Sequence, residues 1–269
     1  MFLTRLCSST ASSAGYGDLL EPRIRHRVFL GVGLQILQQA TGVNAIFYFA
    51  PTIFRDAGVD EPLLCAAATG FANLLGTLLA MRLVEEKGRR TLLLWGALGM
   101  TICMGLAAML LQGESGGASG YLAVFFVCIF VINFAYSWGP MCWVYPAEIF
   151  PMHVKAKAVS ITTCGNWVTN MIFGQYTPQW LAALGPSGLF TVFGMFGVVC
   201  YFFVLKNIPE TKGIALEEMD ELFDNWQSKG KKVTVGKPSD FVDGTHNLAP
   251  GRNIVDAVAV SAHVAPIAA

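Results

Sequence analysis

Charged residues are scarce in this sequence, and neither sign is in surplus. Lys and Arg together number 18 and Asp and Glu also number 18, so 13% of the 269 residues are charged and the formal net charge is zero. This balance excludes the basic surface that binds nucleic acid and the acidic composition of a chain that stays disordered. Hydrophobic residues make up 54%, and the mean hydropathy is +0.52. Such a composition lies outside the range of soluble globular domains and predicts a membrane protein.

Sequence signals for catalytic or redox chemistry are also missing. The seven cysteines occur in no CxxC or Cys/His spacing, and most of them lie in apolar runs, so we interpret them as small core residues. The sequence has no phosphate-binding loop, no nucleophile with a neighbouring base and no metal-ligand cluster. We therefore expect no cofactor, no metal and no enzymatic activity.

Long hydrophobic runs are what the sequence does contain. A helix needs about 20 apolar residues to cross the hydrocarbon core of a bilayer. Six stretches meet this length, at residues 28–54, 62–84, 91–111, 120–145, 158–182 and 187–206. They predict an all-α membrane protein whose six transmembrane helices form one bundle over residues 28–207.

Basic residues gather at alternate ends of these spans. One side would carry Arg23, Arg25, Arg27, Lys87, Arg89, Arg90, Lys155, Lys157, Lys206 and Lys212, and the other side only Arg55. Basic loops stay in the cytoplasm, so this asymmetry predicts that both termini are cytoplasmic. Residues 1–27 then form a cytoplasmic amino-terminal segment and residues 208–269 a cytoplasmic tail.

The tail begins with a helical pattern. Apolar residues recur at helical spacing at Leu216, Met219, Leu222 or Phe223, and Trp226, which predicts a short amphipathic helix at the membrane surface. No periodicity continues beyond Ser228. We expect that part of the tail to be disordered.

Polar residues form stripes on three of the predicted spans. They recur every three or four residues, so each set shares one helix face. The first span carries Gln35, Gln38, Thr41, Asn44 and Tyr48, the second Thr69, Asn73 and Thr77, and the fifth Thr162, Asn166 and Asn170. Two interpretations are open: hydrogen bonding between neighbouring helices, or the lining of a wet cavity. A single amide favours the first interpretation, whereas five polar residues on one stripe favour the second.

The chemistry of the stripes indicates the kind of ligand that such a cavity would take. The spans contain no Asp, Glu, Lys or Arg except Arg82 and Lys206 at span ends, whereas ion and proton paths usually contain such a charge. Amides donate and accept hydrogen bonds with hydroxyl groups, and the indoles of Trp138 and Trp143 can cover the C–H face of a sugar ring. The stripes therefore favour a neutral, polyhydroxylated ligand. Between the two tryptophans, Gly139 and Pro140 predict an irregular point in the fourth span.

Four motifs carry a resemblance to a known family. QQATGVNAIFYF, EEKGRR, WGPMCWVYPAEIFP and PETKG occur in the order and spacing typical of the sugar-porter family of the major facilitator superfamily, and the resemblance covers residues 20–225. It implies an alternating-access carrier of twelve helices in two halves. This chain resembles the carboxy-terminal half, with a three-plus-three helix repeat. The implied partners are a small neutral sugar of the hexose type, the lipid bilayer of the plasma membrane and a six-helix amino-terminal half, with no nucleic acid.

The resemblance also assigns site residues by matched position. Sugar contacts are implied for Gln38, Gln39, Asn44, Asn73, Trp143 and Asn166. Residues just beyond the sugar or at its gate are implied to be Gln35, Tyr48, Asn170, Gly139 and Pro140.

A cytoplasmic ion-pair lock is implied as well, formed by Glu85, Arg89 and Glu148 with Lys155. Lys155 stands where the family usually has Arg. Arg can contact a carboxylate through two nitrogens, so with Lys this is expected to become a contact through one nitrogen. Glu86 departs from the pattern too, because Arg or Lys is common there. The alternative for each of these charges is a solvated determinant of membrane topology.

Two functions are compatible with these patterns. The first is translocation of a monosaccharide by a carrier of which this chain is half, either passively or coupled to protons. The second is a non-transporting protein, which could be a truncated product or a sensor or regulatory membrane protein that keeps the half-fold.

Overall fold

The computed structural model describes residues 15–112, 117–215 and 218–228, with side chains described through residue 226, and these residues belong to one compact unit. Within them the secondary structure is helical. A short 3-10 helix at Tyr16–Leu20 precedes eight α-helices: α1 (Pro22–Ala40), α2 (Val43–Asp56), α3 (Pro62–Lys87), α4 (Arg89–Leu110), α5 (Ala118–Tyr136), α6 (Trp138–Ile149), α7 (Lys155–Asn207) and α8 (Met219–Ser228). The all-α prediction is confirmed for this part of the chain.

The first predicted span, residues 28–54, is not one helix but two. Gly42 separates α1 from α2 and has a φ of 82°. Glycine adopts this left-handed conformation readily because glycine has no Cβ. The Thr41 hydroxyl donates to the Gln38 carbonyl at 2.7 Å, which gives a partner to a group near the end of α1. The pattern of apolar residues continues through both helices, so hydropathy alone does not reveal the break.

The irregular point of the fourth span lies at Ser137, two residues before the predicted Gly139. Ser137 has φ −121° and ψ −88° and separates α5 from α6. Pro140 is therefore the third residue of α6. The missing N–H of Pro140 costs little there, because the first N–H groups of a helix have no acceptor within the helix.

The fifth and sixth predicted spans are both contained in α7, which has 53 residues. Gly185, with φ 66° and ψ 178°, interrupts the helical backbone immediately before Pro186. This interruption falls between residues 158–182 and 187–206, where the sequence predicts the turn. It separates α7 into two segments of membrane-spanning length.

Four stretches of the described residues are long and apolar enough to cross a membrane, namely Pro62–Lys87, Arg89–Leu110, Ala118–Ile149 and Lys155–Asn207. They account for five of the six predicted spans, and the broken segment α1–α2 does not meet the same criterion. These helices make the chain an integral membrane protein.

Helix packing brings α1, α6 and α7 together. α1 packs on α6 and α7, and α4 packs on α5 and α7. The largest buried side chains include Trp138, Tyr145 and Phe130. In the segment where the sequence predicts an amphipathic helix, α8 buries Met219 and Trp226. Leu216 and the residues beyond 228, for which disorder is expected, lie outside the described residues.

Candidate functional site

Three buried glutamines of α1 meet one asparagine of α7. Gln35, Gln38 and Gln39 are only 1%, 4% and 5% exposed, and Asn166 is 2% exposed. Asn166 Nδ2 donates to Gln35 Oε1 at 2.5 Å and to Gln38 Oε1 at 2.7 Å. Gln39 Nε2 donates to Asn166 Oδ1 at 2.8 Å. Asn166 is therefore the centre of a set of mutually bonded amides.

The amides continue outward from this centre to an exposed tyrosine. Gln39 Oε1 accepts from Asn44 Nδ2 at 2.9 Å and from Asn170 Nδ2 at 3.1 Å. Tyr48 donates its hydroxyl to Asn170 Oδ1 at 3.4 Å and is 55% exposed. We call the connected set the amide network: Gln35, Gln38, Gln39, Asn44, Tyr48, Asn166 and Asn170. Its inner end bonds helices to one another and its outer end reaches the surface.

The inner glutamines also bond to the backbone of α6. Gln38 Nε2 donates to the carbonyls of Trp138 at 2.9 Å and Gly139 at 3.1 Å. Gln35 Nε2 donates to the Cys142 carbonyl at 2.9 Å. These contacts hold the first half of α6 against α1. They place Gly139 beside the amide network.

Asn73, Trp143 and Pro140 are not members of the amide network. Asn73 is half-buried and lines an open groove of about 430 Å³ with Thr77, Gly139 and Pro140. Trp143 is 43% exposed. Within the described residues, no side-chain hydrogen bond joins Asn73 or Trp143 to the amide network. Gly139 lines the groove, and its carbonyl accepts from Gln38 of the network, so the groove and the network adjoin at this residue.

A second polar site joins the start of α4 to the end of α6. Arg89 donates from Nε at 3.1 Å and from Nη2 at 2.8 Å to the same oxygen, Oε1, of Glu148. The other oxygen, Oε2, accepts from the Thr211 hydroxyl at 2.9 Å. Arg89 and Glu148 are 21% and 25% exposed, so the pair is only partly screened by solvent.

Glu210 completes this site, although the sequence assigned no role to it beyond its place in PETKG. Its Oε1 accepts from the backbone N–H of Arg89 at 2.8 Å, and its Oε2 accepts from that of Arg90 at 3.1 Å. The first N–H groups of a helix attract an anion in this way. We call Arg89, Glu148, Glu210 and Thr211 the ion-pair cluster. The PETKG motif indicated that Glu210 has a role. Its bonds to the backbone N–H groups at the start of α4 could be found only from the fold.

The other two residues expected in the lock are not paired here. Glu85 is exposed and lines the groove that contains Asn73. Lys155 is half-buried and lines a cavity of about 370 Å³ with Arg89 and Glu148. Among the described residues, neither Glu85 nor Lys155 forms an ion pair. The structure therefore places Arg89 and Glu148 together without the two other members.

Comparison with known proteins gives the family. A family model described as "Sugar (and other) transporter" matches residues 8–223. The high-affinity hexose transporter HXT7 of Saccharomyces cerevisiae is 34% identical over 257 residues, which cover 89% of this chain and 45% of that protein. Sugar transport protein 1 of Arabidopsis thaliana is 38% identical over 222 residues, covering 78% of this chain and 42% of that protein.

Solved structures agree with these relatives. The proton:xylose symporter XylE bound to 6-bromo-6-deoxy-D-glucose superposes with a TM-score of 0.66 at 34% identity, covering 73% of this chain and 42% of that one. XylE from E. coli in its inward-open conformation gives 0.65 at 30% identity, covering 82% and 45%. The chain spans less than half the length of the relatives it matches. These relatives are transporters rather than enzymes, and the chain belongs to the sugar-porter family of the major facilitator superfamily.

Proposed function

We propose that this chain is the carboxy-terminal half of a carrier that moves a hexose-like monosaccharide across a membrane by alternating access. The amide network is the observation that carries this proposal. It lines up neutral donors and acceptors from α1, α2 and α7 and leads from the buried interior to exposed Tyr48. The names of the transporter relatives support a sugar as the ligand, and their greater length supports a second half.

The network's internal bonds indicate which groups are free to bind sugar hydroxyls. A side-chain amide has two N–H donors and two oxygen lone pairs. The bonds described above leave Gln39 one N–H and leave the Asn44 oxygen with both lone pairs. Gln38 and Asn166 have both amide hydrogens engaged and can offer only an oxygen. We therefore propose that Gln39 donates to the sugar, that Asn44 both donates and accepts, and that Gln38 and Asn166 only accept.

The neighbouring groove would complete the sugar site. Asn73 supplies a further amide from α3, and Trp143 offers an indole face that can pack on the C–H groups of a sugar ring. Both side chains are at least partly exposed in this half, so they can face a second half of the carrier. Gly139 and Pro140 line the same groove beside the break at Ser137, a position suited to a gate.

The ion-pair cluster would act at the cytoplasmic side. The asymmetry in basic residues supports a cytoplasmic position for both termini. The family resemblance supports the plasma membrane as the membrane that the carrier spans. In this proposal Arg89 and Glu148 stabilise the conformation that opens outward, because only contacts that differ between two states can shift their equilibrium. Lys155, beside this pair but unpaired with any described acidic group, would be available to the missing half.

The test uses a complete carrier in which this chain is joined to the six-helix amino-terminal half of a hexose-transporting relative. Labelled hexose uptake is measured in cells that lack their own hexose carriers. Asn44→Ala is expected to raise KM about fivefold or more, the scale of one lost hydrogen bond to a ligand. Asn207→Ala is the matched control, because the Asn207 side chain bonds only to the Phe203 carbonyl of its own helix, among the described residues.

Two results would overturn the proposal. Correctly inserted carrier with no saturable uptake of any hexose would remove the transport function. Saturable uptake with the same KM in Asn44→Ala and Asn207→Ala would keep transport but remove the amide network from the sugar site.

A further inference from the structure

Pro146 leaves a gap in the hydrogen bonds of α6. In an α-helix each carbonyl accepts from the N–H four residues later, and proline has no N–H to give. The Cys142 carbonyl therefore has no donor within its own helix. Cys142 is fully buried and Pro146 is buried too, so water does not reach this carbonyl. An unpaired carbonyl in the interior of a membrane protein is costly.

Gln35 of α1 fills this gap. Its Nε2 donates to the Cys142 carbonyl at 2.9 Å, in a contact that is buried on both sides. A second contact lies beside it, because the Cys142 thiol donates to the Leu34 carbonyl at 3.6 Å between sulfur and oxygen. The two neighbours Leu34 and Gln35 thus hold one residue of α6.

The other end of the Gln35 amide is engaged as well. Gln35 Oε1 accepts from Asn166 Nδ2 at 2.5 Å. One amide group consequently connects the interrupted backbone of α6 to the centre of the amide network on α7. The Gln35 side chain is 1% exposed, whereas Trp143, the residue after Cys142, is 43% exposed.

We propose that Gln35 is a positioning residue whose amide replaces the N–H missing at Pro146, and that it thereby fixes α6, with Trp143, relative to the amide network. Gln35 does not touch the sugar in this arrangement. The sugar-affinity part of this inference rests on the proposed function, and the structural part does not.

The structural part is tested on the purified 269-residue chain in detergent by thermal unfolding. Gln35→Leu removes both bonds of the amide and is expected to lower Tm. Pro146→Ala returns an N–H to the Cys142 carbonyl, so in that background Gln35→Leu is expected to lower Tm by roughly half as much, because one of its two bonds is no longer needed. Gln39→Leu is the matched control, since Gln39 has no bond to α6 among the described residues, and its effect should be the same in both backgrounds. Equal Tm losses for Gln35→Leu in the two backgrounds would overturn the inference.

A second variant keeps the test usable if Pro146→Ala does not fold. In Gln35→Glu the protonated carboxyl has one O–H donor and one free acceptor oxygen, which matches the two bonds that Gln35 makes here, whereas the ionised carboxylate cannot donate. Burial favours the protonated form. Gln35→Glu is therefore expected to match the wild-type Tm at acidic pH and to fall below it as pH rises. A Tm difference that does not change with pH would contradict a donor role for Gln35.

The sugar-affinity part is measured as KM for hexose in the joined carrier. Gln35→Leu should raise KM, and Pro146→Ala should cancel part of that increase. If Gln35 bound the sugar directly, Gln35→Leu would raise KM by the same factor with or without the Pro146→Ala change, and the inference would be wrong. Absence of saturable uptake in the wild-type carrier would instead remove the proposed function, and the Tm comparison would still decide the role of Gln35.

Discussion

The Arg27 guanidinium contacts both Asp220 and the ring of Phe223, and these contacts link the start of α1 to α8. Nη2 donates to Asp220 Oδ1 at 2.6 Å, and the guanidinium carbon is 4.6 Å from the centre of the Phe223 ring. Nη1 donates to the Ile149 carbonyl at the end of α6 at 3.0 Å. Arg27 is only 2% exposed, and a charge buried to this extent requires such partners.

Removing the Asp220 carboxylate should therefore destabilise the contact between α1 and α8. Asp220→Ala leaves Arg27 buried without its anion and is expected to lower the free energy of unfolding by about 1–3 kcal/mol, less than for a fully enclosed pair because the Asp220 side chain is 59% exposed. Asp224→Ala is the matched control. It breaks an exposed pair with Arg23 at 3.4 Å, for which about 0–1 kcal/mol is expected. Chemical unfolding of the purified variants measures both, and equal losses would show that Arg27 does not depend on Asp220.

Stability should also fall in mild acid because of His26, which precedes Arg27. Burial and, second, the neighbouring Arg27 charge lower the pKa of His26 below its usual value of 6.5. The folded chain then binds a proton at His26 less readily than the unfolded chain does. The neutral imidazole of His26 therefore stabilises the folded chain at pH values above the pKa that His26 has in the unfolded chain. This stabilisation is lost as the pH falls from that pKa toward the lower pKa of the folded chain. His26→Gln cannot titrate, so its Tm should fall less than the wild-type Tm between about pH 7.5 and about pH 5.5. Parallel falls in the two proteins would exclude His26 as a source of the pH dependence.

Glu148 is expected to contribute more to stability than Glu85, although the family resemblance implies one lock for both. Glu148→Gln removes the charge that Arg89 contacts through two nitrogens and weakens the bond from Thr211. A loss of about 1–2 kcal/mol in the free energy of unfolding is expected for charge-assisted bonds that are half-buried. Glu85→Gln, at an exposed position, should change it by less than about 0.5 kcal/mol. Both variants make the same chemical change at different positions, so unfolding curves that coincide would contradict the observed pairing.

The sequence predicted which side chains share a face, but not what those faces meet. The spacing of Gln35 and Gln38 puts them on one side of α1, since helical periodicity fixes side-chain direction. Asn44 lies beyond the break at Gly42, so periodicity does not relate its direction to theirs. The bonds from the α1 glutamines to Asn166 join positions more than a hundred residues apart, and only the packing of α1 on α7 brings these together. The resemblance anticipated the pairing of Arg89 with Glu148, whereas the capping of α4 by Glu210 needed the fold.

The breaks in the helices were the least predictable feature. Hydropathy is averaged over many residues, so a single left-handed residue such as Gly42 leaves it unchanged. In the fourth span Pro140 predicted a break in the correct region, but the break lies at Ser137. A proline fits best in the first turn of a helix, so the break comes before Pro140. The role of Pro146 is similar, since its missing N–H is visible in the sequence but its replacement by Gln35 is not.

The purified chain alone should not catalyse saturable sugar flux. In carriers of this class a central site is exposed alternately as one bundle rocks against another, and here the groove with Asn73 and the indole of Trp143 lie open in a single bundle. A second copy could cover that face, but it would repeat the same groups and would not supply those of a different half. The chain is reconstituted in liposomes, and labelled hexose uptake is compared with that of empty vesicles and of vesicles containing the joined carrier. We expect uptake at the level of empty vesicles with the chain and saturable uptake with the joined carrier. Saturable uptake by the chain itself, inhibited by unlabelled hexose, would mean that these 269 residues form a complete transporter.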